Sequence, residues 1–70
     1  MTGRRPMLDP ARVIFEFVRV GASVKVTAVD PDSLTEIAIV GAANMPKRQL
    51  ERAALARLEY VLRRGTKPAS

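Results

Sequence analysis

Asp30 and Asp32 flank Pro31 in the stretch DPDSLT, and this pair comes nearest in the chain to acid–base or hard-cation chemistry. Two carboxylates fall well short of the roughly six to eight oxygen ligands that calcium takes. Asp-Pro-Asp is also a turn signature, in which the carboxylates accept hydrogen bonds from backbone N–H groups two residues on. Ser23, Ser33 and Thr35 would need a neighbouring base to become nucleophiles, and the chain has no histidine. It has no cysteine either, so the thiolate and imidazole ligands that hold most protein zinc are both missing. The remaining acids, lysines and arginines and the single tyrosine, Tyr60, form no cluster. The expectation is a protein with no catalytic residues, no cofactor and no metal site, and therefore not an enzyme.

Basic residues are the second source of chemistry. Lys47, Arg48 and Arg52 open the stretch MPKRQLERAALARLEYVLRR, residues 45–64. Cations beside the positive end of a helix dipole sit unfavourably, by about 0.3–1 kcal/mol each, and a helix start ringed by them is a ready anion site. They are candidate contacts to an anion or a nucleic acid, joined by Arg4 and Arg5 near the N-terminus. Their ordinary use is a solvated helix face, with Lys47 paired to Glu51 and Glu59 to Arg63 one turn on. Tyr60 is expected at the margin of the core with its hydroxyl in water. Phe15 and Phe17 could stack on bases, as aromatics on some RNA-binding sheets do, but they fall on the face that a helix must cover.

Seventy residues make one domain at most, and a chain this short buries only about 60% of the surface that its unfolded form exposes. Twelve lysines and arginines against seven acids give a formal charge of +5, which permits an acidic partner without specifying one. The two arginines of MTGRRPMLDP are followed by no apolar stretch, so no secretory signal is read there. No apolar run approaches the roughly 18–20 residues that a membrane span needs. A soluble, intracellular protein, bound to no membrane, is expected.

The elements that must position these residues follow from periodicity and turn chemistry. Residues 1–11 read as a flexible arm, 12–65 as one domain and 66–70 as a frayed tail. RVIFEFVRV (12–20) and SVKVTAV (23–29) are strands separated by Gly21-Ala22, a tight hairpin turn with glycine first. EIAIV (36–40) is a third strand, ended by GAAN (41–44). Asn44 or Met45 is expected to cap a helix that tolerates Pro46 in its first turn and stops at Gly65. If Phe17 faces Val26 and Val26 faces Ile39, then Val13, Phe15, Phe17, Val24, Val26, Ala28, Ile37 and Ile39 share one face. Leu50, Ala54, Leu58, Val61 and Leu62 recur at helical spacing and can cover it. The fold class is α+β: a three-stranded antiparallel β-meander with one C-terminal helix packed on one face, β-β-β-α. The expected core is Phe15, Phe17, Val26, Ile39, Leu50, Leu58 and Val61.

Two resemblances attach to these residues. The β-β-β-α order with a basic helix start is similar to the second part of a double-stranded-RNA-binding domain. That likeness implies phosphate contacts at Lys47 and Arg48, although Glu51 stands at the next position of the motif. FEFVRVGASVKVTAVDP followed by LERAALARLEYVLRR also resembles a family of short, uncharacterised alphaproteobacterial proteins. This second resemblance implies a bacterial, cytoplasmic protein and no particular chemistry.

The opposite sheet face carries the stronger functional expectation. It reads Ile14, Glu16, Val18, Val20, Lys25, Thr27, Val29, Glu36, Ala38 and Val40, and six of the ten are apolar. A solvated antiparallel face is ordinarily mostly polar. Ile14, Val18, Val29, Ala38 and Val40 are therefore candidate partner contacts. The first strand is guarded by Arg12, Glu16 and Arg19, whereas EIAIV has one charge at its start and invites pairing with another strand. The expected function is a small non-enzymatic protein-association module, a homodimer or an accessory subunit. Weak nucleic-acid binding through Lys47, Arg48 and Arg52 is the alternative.

Overall fold

A computed structural model describes residues 9–64. One turn of 3-10 helix at Pro10–Arg12 leads into β1 (Ile14–Val20), β2 (Ser23–Asp30), β3 (Thr35–Ala42) and α1 (Lys47–Arg63). The strands form an antiparallel sheet in the order β1-β2-β3, so the α+β, β-β-β-α architecture read from the sequence is the fold of the protein. Phe17 faces Val26 and Phe15 faces Ala28; Val26 faces Ile39 and Ala28 faces Ile37. Register agrees residue for residue because one slip would turn every apolar side chain of a strand to the other face.

Element ends differ from expectation for local reasons. β1 begins at Ile14 and not at residue 12, because Asp9 caps the turn before it: its side chain accepts from the Ala11 N–H at 3.1 Å. Residues 9–11, expected in the flexible arm, are thus structured, while residues 1–8 lie outside the described residues. Gly41 and Ala42 do not break β3 but extend it, pairing with Val24 and Ser23. A Cβ on Gly41 would overlap a methyl of Leu50, so glycine stands there to let the helix approach the strand. Pro46 itself, extended at φ −60°, ψ 136°, is the N-cap of α1, in place of Asn44 or Met45. Its carbonyl accepts from Gln49 and Leu50 at 2.9 and 3.2 Å, and a residue before proline resists helical backbone, which keeps the helix from starting earlier. Gly65 and the tail lie outside the described residues.

The buried cluster is Val13, Val24, Val26, Ala28, Leu50, Ala54 and Leu58. Val26, Leu50 and Leu58 are buried as expected, but Phe15, Phe17, Ile39 and Val61 are only half-buried. For the two phenylalanines the cause is the position of α1, which packs across β2 and β3. The middle strand supplies three of the buried residues, and the small side chains of Ala28 and Ala54 bring helix and sheet together. β1 lies beyond this contact, so its two phenylalanines close the core from the side.

Candidate functional site

The acidic pair is occupied in holding the β2–β3 turn. Asp30 is only 3% exposed; its carboxylate accepts from the Ser33 hydroxyl at 2.8 Å and from the Asp32 N–H at 3.4 Å, while its carbonyl accepts from Leu34 N–H at 2.7 Å. Ser33 Oγ in turn lies 2.8 Å from the Thr35 hydroxyl and accepts from the Thr35 N–H at 3.3 Å. Asp32 pairs with Arg12 at 2.9 Å. These oxygens fasten a four-residue loop whose last residue, Leu34, sits at φ +61° and is 80% exposed. A leucine in left-handed backbone is strained, and nothing in its residue type signals it. Among the described residues no group of three or more His, Cys, Asp or Glu side chains is placed to hold a metal ion.

The basic helix start does not gather into one site. Lys47 Nζ lies 4.9 Å from the centre of the Phe17 ring, a cation–π contact that turns it toward β1. Arg48 and Arg52 are exposed one helical turn apart. The pairs Lys47–Glu51 and Glu59–Arg63 do not form; among the described residues the ion pair is Arg12–Asp32. Arg57 and Arg64 flank the Tyr60 ring at 5.8 and 5.6 Å, and Arg64 donates to the half-exposed Tyr60 hydroxyl at 3.4 Å. Arg4 and Arg5 lie outside the described residues.

The open sheet face is where candidate contacts come together. Register arranges it in rows: Ile14, Val29, Glu36; then Glu16, Thr27, Ala38; then Val18, Lys25, Val40; then Val20, Ser23, Ala42. Ile14, Val18, Val20 and Val40 are 57%, 45%, 66% and 72% exposed, and Ala38 is exposed beside Val40. Val29, on the middle strand, is half-buried by its neighbours. Val18 and Val40 do not touch, because Lys25 stands between them. Each strand contributes one charge to the face, Glu16, Lys25 or Glu36. Val20, exposed at the end of β1, belongs with the candidate contacts more clearly than Val29.

At the same end of the sheet, Ala22, Ala42, Ala43, Asn44 and Arg19 line a shallow open concavity. The Ala43 N–H donates to the Ala22 carbonyl at 2.8 Å, tying the first turn to the end of β3. Three of its five lining residues are alanines, and of the two polar ones Arg19 is engaged with the Gly21 carbonyl.

A family model described as a domain of unknown function matches residues 10–65, from the turn before β1 to just past the last helical residue. No curated protein and no solved structure matches the chain. No helix among the described residues is long and apolar enough to cross a membrane.

Proposed function

Because the chain belongs to the DUF6898 family, whose function is unknown, its own surface has to carry the functional reading, and we propose a non-catalytic protein-association module that works through the open face of its sheet. The single observation behind this is the exposure of Ile14, Val18, Val20 and Val40 on one face of the sheet. Apolar side chains gathered on a flat surface lower the free energy by leaving water, at about 25 cal/mol per Å² covered. Glu16, Lys25 and Glu36 set between them keep the uncovered face soluble and favour a partner whose charges match. The acids and hydroxyls that could have formed a reactive centre are committed to the Asp30–Thr35 turn, which supports a binding role over a catalytic one. A cysteine-free chain also suits the reducing cytoplasm, where we place it.

The likeness to a double-stranded-RNA-binding domain would put phosphate contacts at Lys47 and Arg48. With Lys47 seated on Phe17, no observation favours that reading, and it is not carried further.

The test is photo-crosslinking in the native cell. A crosslinking side chain at Val40 should give a discrete protein adduct, and the same group at Arg52 on the helix should not. Equal adducts from both positions, or none from Val40, Val18 and Ala38 alike, would overturn the assignment of the open face.

A further inference from the structure

We propose that a second copy of this chain is a partner, joined edge to edge through β1 in a two-fold antiparallel pairing centred on Phe17; this rests on the association reading above and doubles its open face, with β3 and Val40 at the outer edges of the joined sheet. β1 is the strand that the fold covers least. On the open face Ile14, Val18 and Val20 are exposed, and on the helix side Phe15 and Phe17 are only half-buried, because α1 packs over β2 and β3.

The charges that guard this edge in the sequence are used elsewhere. Arg12 precedes the strand and pairs with Asp32 at 2.9 Å. Arg19 bends back, and its Nε donates to the Gly21 carbonyl at 2.9 Å. Within β1 only Glu16 retains a charge with no partner among the described residues.

Centring the pairing on Phe17 uses all of Ile14–Val20 with no overhang. Ile14 then faces Val20 of the second copy, Phe17 faces Phe17, and Phe15 faces the aliphatic stem of Arg19. Glu16 faces Val18 of the second copy, and the strand neighbour of that valine is Lys25. Two opposite charges therefore come within side-chain reach over a small apolar residue, twice by symmetry. In an antiparallel pair, directly opposed residues share a face, so both open faces end on the same side of a six-stranded sheet.

The competing arrangements are less favourable. Pairing through β3 would bring the two α1 helices to about 10 Å, a packing distance. Leu50 lies against Gly41 of β3, so the helix flank next to it, Ala53, Arg57, Tyr60 and Arg64, would meet its copy. That flank holds two arginines in each copy and no acid. Stacking open face on open face would bury Glu16, Lys25 and Glu36, and unmatched buried charges are costly. One term opposes β1 pairing: the two Lys47 groups, each on its Phe17 ring, approach one another in water, where salt screens them.

Size sets the affinity. Seven residues at about 3.3 Å give a seam roughly 23 Å long, which with side chains on both faces covers on the order of 400 Å² per copy. That is about half of the roughly 800 Å² of a standard interface, so the dimer forms and separates with concentration.

Sedimentation of the full chain from about 10 μM to 1 mM should show a monomer–dimer equilibrium. Ile14→Glu and Val20→Lys lie at exposed positions away from each other within one chain, and each should weaken the dimer about three- to thirty-fold. The double variant sets Glu opposite Lys across the seam and should return to within about threefold of wild type. Ala38→Lys on β3 should leave the equilibrium unchanged, with a dispersed amide spectrum verifying the fold of every variant. A wild type that stays monomeric, a double variant no better than its singles, or a dimer lost through Ala38→Lys would each overturn the proposal. If the chain stays monomeric while Val40 still crosslinks to another protein, self-pairing fails and the association reading survives. Failure of both experiments removes both.

Discussion

β1 and β3 are the two edges of one sheet, seven and eight residues long, both rich in valine and isoleucine or phenylalanine, yet α1 shelters only one of them. β3 alternates half-buried with exposed residues along its whole length, whereas the last three residues of β1 are all exposed. The difference lies in how closely a helix can approach each strand. Gly41 on β3 leaves room for Leu50, and Ala28 on β2 and Ala54 on the helix are fully buried with it. Phe15 and Phe17 on β1 are too bulky for the same approach; they lean in from the side, and Lys47 caps the second ring. Composition makes both strands sticky, and the small residues decide which of them the helix covers.

The comparison breaks most visibly in the centre. Leu58 is fully buried under α1, and Leu58→Ala should cost about 3–5 kcal/mol, comparable with the whole stability of a small chain without staples. Phe17→Ala, which full burial would make equally severe, should cost only about 2 kcal/mol, since the side chain is only partly buried. Urea denaturation of both variants tests this ordering; a Phe17→Ala loss equal to that of Leu58→Ala would mean that the helix covers β1 as well. A smaller effect is expected at the close approach itself. Gly41→Ala forces Leu50 off its seat and should cost about 1–3 kcal/mol, whereas Ala38→Gly, exposed on the other face of the same strand, should stay within about 1 kcal/mol. The smallest effect has the opposite sign. Leu34 is strained at φ +61° and largely exposed, so Leu34→Gly should raise stability by about 0.5–1 kcal/mol, read as an upward shift of the thermal midpoint. A loss on that change would show that the exposed leucine has a contact worth its strain.

Much of this was legible beforehand. The pairing of Phe17 with Val26 and of Val26 with Ile39 followed from period-2 alternation plus a two-residue turn at Gly21, which indeed holds φ +62°. The structural role of Asp30 and Asp32 was legible in the turn chemistry of Asp-Pro-Asp. Other features were hidden. Gly41 read as a strand breaker because its one requirement, space for Leu50, belongs to a residue nine positions later. Arg12 and Arg19 read as guards of the first edge because their partners, Asp32 and the Gly21 carbonyl, are chosen by the folded hairpins. Lys47 read as an anion contact because nothing local announces the ring of Phe17.

The chain by itself therefore determined its elements, its strand order and its register, since alternation, helical spacing and turn chemistry act between residues that are near in sequence or directly opposed. Tertiary structure alone decided where the helix lies across the sheet, which edge is left open and which charges remain free. An amphipathic helix needs only an apolar surface, and its own pattern does not distinguish one pair of strands from another; the missing side chain of Gly41 and the methyls of Ala28 and Ala54 make that choice once the three are brought together.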